Sequence, residues 1–448
     1  MGPFWGEMFV PRYGAQRSAV TRALDVLVGA VIAAVGSTLL LLLALVLRAM
    51  RSRGPRRIVY LGTGQIAQVF PRNGVNLFLE RECSDFAGYF EQMWNIHFPA
   101  GTCGKLDLTP RHHLIDVDFS TNAQLPISSM VWREVRFLLW LLPFLARCQA
   151  SVVTATNPYL QGLNAALVSR MLGIRYAVII TRDYDWDWTV LGKQAFKSVY
   201  PSRRLERAIG RWVLRKASLV LADREYYRQF AVRNGTPEAR AVATRVLADA
   251  AYAAASPSDE VRERYGLGDG PLLSYVGRLD ADKFALDLVD CLARVHARFP
   301  NVVLACAGTG ALADEMQRRA CELGVGSNLR LLGAVDLADL PGLLASSNVF
   351  VAPHMGYTLI EAGLTGVPIV TYDYDFHAEI VADGETGYLV KFRDVAALAE
   401  RVCELLADPA HAQVIGTRLR SQLLREHSLA AVIPLYQRAY DQVLGPAS

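Results

Sequence analysis

The chain has 448 residues, 47 Lys and Arg against 43 Asp and Glu, a formal net charge of +4 and 52% hydrophobic residues. That length accommodates two domains of ordinary size. The first 57 residues hold eight arginines and two acids, so the rest of the chain is close to −2, which argues against a nucleic-acid-binding body.

The mean hydropathy of +0.20 is partly local. Val26 to Leu47 is a run of 22 residues without a charge, about the length that spans a bilayer. A signal peptide has a shorter apolar core and a small-residue cleavage site, and neither is evident. After a tail over residues 1–25, the segment reads as a membrane anchor, with a buried soluble helix as the alternative. Arg12, Arg17 and Arg22 precede it, while Arg48, Arg51, Arg53, Arg56 and Arg57 follow. The denser positive cluster predicts a single pass with the folded domains cytoplasmic. The cysteines (Cys83, Cys103, Cys148, Cys291, Cys306, Cys321, Cys403) are scattered without a C-x-x-C pair, as for free thiols in a reducing compartment.

A first domain is expected over residues 57–250. Arg57 to Leu61 reads as a strand entering a glycine turn, Gly62 to Ala67. The turn matches G-x-G-x-x-A, with Glu80 about where a ribose-binding acid would sit. Pro71 and Gly74 shorten the intervening helix too far for a usual dinucleotide crossover. His112 and His113 read as an exposed pair. Val131 to Ala146 has apolar residues at helical spacing, interrupted by Arg133, Glu134 and Arg136, and predicts a helix packed under a sheet. The strands Ser151–Thr156, Tyr176–Ile180 and Ser218–Ala222, with helices between, predict a parallel sheet.

The middle strand ends in Thr181 to Trp188, a segment expected to face ligand because doubly wound sheets bind beyond their carboxyl ends. Asp183 and Asp185 are its candidate catalytic acids. Arg203, Arg207, Arg211 and Arg215 recur every four residues opposite Leu205, Ile209 and Trp212, a face for anionic lipid or for solvent. The Ala-rich stretch from Ala248 to about Asp259 reads as a linker.

A second domain is expected over residues 260–428, with strands at Leu272 onward, 302–307, 329–332, 349–352 and 369–372. The strand Val349–Ala352 runs into Pro353-His354-Met355-Gly356-Tyr357-Thr358 and a short helix carrying Glu361. Amides at a helix start carry partial positive charge and suit a phosphate, and Glu361 one turn on suits a ribose. Thr358 and Glu361 also fit a capping box, in which the acid merely caps its own helix. Three D-x-D patterns (Asp116/Asp118, Asp185/Asp187, Asp373/Asp375) are short enough to arise by chance.

The second half resembles the retaining glycosyltransferases of family 4, also called glycosyl transferases group 1. The motifs that carry the resemblance are Tyr275-Val276-Gly277-Arg278-Leu279 with Lys283, Ala307-Gly308-Thr309-Gly310, and Leu332-Gly333. Glu361-Ala362, Gly366-Val367-Pro368, Glu379-Ile380-Val381 and Asp383 to Val390 follow in order. The resemblance implies an α/β fold of GT-B type, two Rossmann-like doubly wound domains facing a cleft, with residues 429–448 crossing back onto the first. It implies transfer of sugar from a nucleoside diphosphate donor to a lipid-linked or polysaccharide acceptor, without metal or other cofactor. Arg278 and Lys283 correspond to the cations at the donor diphosphate; Gly277, Gly308, Leu332, Gly356, Tyr357, Thr358, Glu361 and Glu379 line the nucleotide-sugar site. The chain departs from the pattern where Arg182 replaces a frequent histidine, and where Pro353 stands eight before Glu361 in place of a glutamate. The sugar contact then passes to His354, or to Asp375, His377 and Glu379. The departures leave two other readings open: an inactive relative that binds nucleotide or scaffolds an assembly, and a UDP-sugar epimerase of the same fold.

Overall fold

The computed structural model describes residues 19–51, 54–63, 86–119, 126–197, 199–354 and 356–446. The chain divides into two compact units. One comprises the described residues up to Arg245 and resumes at Ile433; the other runs from Val246 to Val432. The glycine fingerprint from Gly64 on, Glu80, Cys83, Arg12, Arg17, Arg53 and Met355 lie outside the described residues.

The first unit opens with helix α1 (Ala19–Ala49), of which Leu24–Ala49 is long and apolar enough to cross a membrane by length and composition. Strands β1 (Arg57–Gly62), β2 (Gln92–His97), β3 (Gly104–Thr109) and β4 (His112–Asp116) follow. Then come α2 (Pro126–Arg147), β5 (Val152–Ala155), α3 (Leu160–Leu172) and β6 (Arg175–Ile180). Helices α4 (Tyr184–Leu191), α5 (Arg203–Lys216) and α6 (Glu225–Arg233) alternate with β7 (Leu219–Ala222) and β8 (Ala241–Ala243).

Among the described residues the strands form one sheet in the order β3-β4-β2-β1-β5-β6-β7-β8, parallel except for the β3–β4 pair. β1 and β5 are fully buried but for one end residue, because a parallel sheet is covered on both faces and needs no polar alternation. Ile58, Tyr60, Val152, Leu219 and Leu221 point to one face, where Tyr440 packs with Phe90 and Met93. Phe137 of α2 stacks on Phe98 at 4.0 Å, the packing expected for the amphipathic run 131–146. The histidine pair is not exposed as expected. His112 is buried with Nε2 near Met93 Sδ, and His113 Nδ1 lies 2.6 Å from Asp107 Oδ1, since both belong to β4.

The second unit begins with α7 (Ala250–Ala253) and α8 (Asp259–Arg264), so the stretch read as a linker is folded into it. Asp249 caps α7, and Arg420 holds the Ala253 carbonyl at 2.7 Å. Strands β9 (Leu272–Val276), β10 (Val303–Ala307), β11 (Leu329–Gly333), β12 (Val349–Ala352), β13 (Ile369–Asp373) and β14 (Tyr388–Lys391) build a sheet ordered β11-β10-β9-β12-β13-β14. All of its pairs are parallel. Between the strands run α9 (Ala285–His296), α10 (Ala313–Glu322), α11 (Leu340–Ala345), α12 (Thr358–Thr365) and α13 (His377–Ile380). After β14 come α14 (Val395–Ala407), α15 (Pro409–His427) and α16 (Leu429–Leu444), the last entering the first unit at Ile433.

The chain lays β9 down first, adds β10 and β11 to one side, then returns to add β12 to β14 on the other. The loops after β9 and β12 therefore diverge and leave a crevice between them, the usual ligand site of such sheets.

Candidate active site

Two loops meet at that crevice. After β9, Gly277 and Arg278 lead through Asp280 into a short turn, Ala281–Lys283, and Phe284 takes a left-handed φ of 52°. After β12, Pro353 and His354 lead to Gly356 and the start of α12. His354 Nδ1–H donates to the Asp282 carbonyl at 2.7 Å and ties the loops together. Burial, then the neighbouring Lys283 charge and His377, hold the His354 imidazole well below its ordinary pKa. It is therefore neutral at physiological pH, with its proton on Nδ1.

The Arg278 guanidinium is half-exposed and held between two carboxylates, Asp280 and, at 2.9 Å, Asp282. Its neighbour is a glycine turn. A Cβ on Gly308 would sit 1.9 Å from the Gly277 carbonyl oxygen, and one on Gly310 would sit 2.3 Å from that of Leu279. Only bare backbone lets the two loops pack, with Leu279 N–H donating to Thr309 O at 3.0 Å. In front of α12 the space is open: a Cβ on Gly356 would meet no atom within 4 Å. Tyr357, not Thr358, occupies the N-cap position of α12, so the capping box with Glu361 is not formed.

Gly277, Arg278, Lys283, Gly308 and the Gly356–Thr358 turn thus share the carboxyl edge of three adjacent strands, β10, β9 and β12. Glu361, half-buried, follows in the first turn of α12. Leu332 lies farther out, on the edge strand β11, whose Gly333 carbonyl accepts from Gly308 N–H at 2.7 Å. Glu379 is half-buried on α13, beyond β13. His377 is completely buried, its Nδ1 2.6 Å from Thr371 Oγ1 and 3.1 Å from Tyr372 O, so it is a core histidine and not a sugar contact.

Asp183 belongs to the first unit and has a different environment. Its Oδ1 accepts from Asp185 N–H and Trp186 N–H as the N-cap of α4, and its Oδ2 pairs with Arg233 at 2.9 Å. Both oxygens are engaged, which suits positioning of the loop and not proton transfer. From Tyr184 on, the segment expected to face ligand belongs to this helix. Asp185 accepts from Arg203 at 2.8 Å and Arg207 at 3.5 Å, and Arg182 pairs with Asp187 at 2.9 Å. Two arginines of the four-residue stripe on α5 therefore turn towards Asp185.

One pair at the carboxyl edge of the first sheet escaped the sequence reading. His97, ending β2, is buried with Nδ1 3.3 Å from Asp116 Oδ1, and a Cβ on Gly62 would lie 2.8 Å from its ring. The residues are 19 apart in sequence on two strands, and although Asp116 opens a D-x-D pattern, nothing local ties it to His97.

Residues 257–422 match the family described as glycosyl transferases group 1. This segment is a group 1 glycosyltransferase domain. A GDP-mannose-dependent alpha-(1-6)-phosphatidylinositol monomannoside mannosyltransferase of Mycolicibacterium smegmatis is 34% identical over 167 residues, 35% of this chain and 44% of that protein. The chain thus spans less than half of that relative's length. An alpha-D-kanosaminyltransferase of Streptomyces kanamyceticus is 25% identical over 69% of this chain and 80% of its own. Among solved structures, Anabaena Alr3699/HepE in complex with UDP aligns with a TM-score of 0.65 at 16% identity, covering 86% of this chain and 99% of that one. The architecture is GT-B, here with an N-terminal apolar helix. The crevice between β9 and β12 lies within the group 1 glycosyltransferase domain.

Proposed function

We propose that the protein is a membrane-associated retaining glycosyltransferase, drawing on a nucleoside diphosphate sugar and glycosylating a lipid-linked or polysaccharide acceptor at the cytoplasmic face. The observation that carries this reading is the meeting of the Arg278–Lys283 loop with the start of α12, tied by the His354–Asp282 hydrogen bond. Fixed cations and a helix start placed together offset the two charges that develop as a diphosphate departs. Gly277 and Gly308 keep the backbone low at that point, and Glu361 stands where a ribose hydroxyl would meet it. Leu332 and Glu379 lie at the margins of such a site, with Glu379 and neutral His354 on the sugar side.

In the proposed reaction the bond from the anomeric carbon to the β-phosphate oxygen breaks, and the acceptor oxygen bonds to that carbon from the same face. The acceptor proton passes to the departing phosphate oxygen, so no side-chain base is required. This accommodates Arg182 in place of a histidine and leaves Asp183 as a positioning residue. The mannosyltransferase relative, by name, uses GDP-mannose on a phosphatidylinositol mannoside. GDP-mannose and a phosphoinositide-type lipid are accordingly the first donor and acceptor to test.

The test is incubation of the detergent-solubilised chain with radiolabelled GDP-mannose or UDP-glucose and total membrane lipid. The expected result is a labelled lipid whose new linkage keeps the donor's anomeric configuration by NMR. Tight nucleotide binding with no transfer from any donor would instead identify an inactive relative. Interconversion of UDP-sugars without an acceptor would identify an epimerase.

A further inference from the structure

Helix α1 does not stand clear of its unit. At one end, Asp25 Oδ1 accepts from Ser128 N–H at 2.9 Å and Ser128 Oγ–H at 2.7 Å, capping the first turn of α2. Midway, a Cβ on Gly36 would lie 2.7 Å from Val135 Cγ1. Just past the other end, the Arg51 guanidinium donates to Leu145 O at 3.3 Å and Ala150 O at 2.6 Å. The two helices therefore run side by side in the same direction, and α1 rests on α3 as well.

This docking is incompatible with a simple crossing. From Asp25 to Ala49 the helix covers about 36 Å at its ordinary rise, more than the ~30 Å of a bilayer's hydrocarbon core. A spanning α1 would carry α2 through that core beside it, together with Arg133, Glu134 and Arg136 and the sheet on which α2 packs. Charges at that depth are strongly disfavoured.

We infer that α1 lies in the plane of the membrane surface, one face docked on α2 and α3, the other immersed in a single lipid leaflet. The docked face is the stripe Asp25, Gly29, Gly36, Leu40 and Ala44, all buried. The outward face carries Val31, Val35, Leu39, Leu42, Leu45 and Val46, between 52% and 69% exposed. Lipid is the occupant this surface fits, because it is aliphatic and uncharged from Val26 to Leu47. Its exposed Thr38 hydroxyl is returned to the Ala34 carbonyl at 3.1 Å, as a hydrocarbon surrounding requires. The neighbouring helix α2 adds an interfacial residue, Trp132, 43% exposed, and Arg48 is exposed near the end of α1. The single crossing expected from the sequence is thereby replaced by a monotopic attachment.

The inference is independent of the transfer reaction, and its failure would leave the nucleotide site untouched. The test places a protease-cleavable tag before Met1 and a second after Ser448 of the full chain, in sealed inverted and right-side-out vesicles. Both tags are expected to be cleaved in inverted vesicles and both protected in right-side-out ones. Cleavage of one tag in each preparation, or absence of the chain from the membrane fraction, would overturn the inference. In a second measurement, L39D/L42D is expected to reduce flotation with anionic phospholipid vesicles at least tenfold while the melting temperature is unchanged. Undiminished flotation of that folded variant would also overturn it.

Discussion

Each sheet ends in a charged loop, and the two loops use their charges differently. In the first unit, Asp183 and Asp185 are taken up by a helix cap and by Arg233, Arg203 and Arg207, and their charges hold α4 and α5 in place. In the second, Arg278 is held at the edge of an open space, beside a loop that its glycines allow to approach within backbone contact. Charge at a strand end is thus not itself a sign of chemistry. What separates the two is whether the partners lie inside the fold or leave a face towards the crevice.

The sharpest way to break this contrast is to remove the cations of the second unit. Arg278→Ala and Lys283→Ala are each expected to lower transfer about 100- to 1,000-fold, the scale for losing one fixed donor at a developing charge. Circular dichroism and melting temperature should stay close to those of the parent. Next in size is Gly308→Ala, which sets a Cβ against the Gly277 carbonyl at a φ of 147°. A loss of about 2–4 kcal/mol in urea unfolding is expected.

A third prediction concerns pH and the helix beneath α1. Burial raises the Glu134 carboxyl to about 7, opposed by Arg133 and by Asn164, which donates to it at 3.3 Å. The folded chain then keeps a proton that the unfolded chain loses near the ordinary 4.5, so this group's contribution to stability falls as pH rises from there to about 7. Glu134→Gln should remove that slope, changing the stability difference between pH 5 and pH 8 by on the order of 2 kcal/mol. An unaltered slope would mean the carboxylate is ionised in the fold. The smallest effect is expected from Asp183→Ala, about 1 kcal/mol from the lost cap. Its turnover per folded molecule should stay within a few-fold of the parent; a 100-fold loss at unchanged stability would restore a catalytic role to this acid.

Much of the second unit was legible because its determinants are local. Glycine turns after apolar strands and a helix start are short-range patterns; β9 begins at the expected residue, and β10, β12 and β13 fall within a residue of their expected bounds. In the first unit β2, β3 and β4 were not anticipated. Strands such as Gly104–Thr109 and His112–Asp116 mix Lys, Asp and His with few apolar residues, and form because neighbours pair with them. Asp183 shows the opposite failure, since an acid directly before an aromatic-rich stretch is also an ordinary helix cap. For α1, hydropathy identified an apolar helix and could not show which face was taken. That depended on Asp25 and Gly36 meeting Ser128 and Val135 of α2, residues far away in the sequence.

The central claim is that the loops after β9 and β12 hold the donor's diphosphate, and the most direct measurement is titration of the chain with GDP against GMP, repeated with UDP against UMP. The parent is expected to prefer the diphosphate in at least one pair, and Lys283→Ala and Arg278→Ala to lose most of that preference while keeping their affinity for the monophosphate. A preference that survives both substitutions would place the β-phosphate elsewhere and contradict the site described.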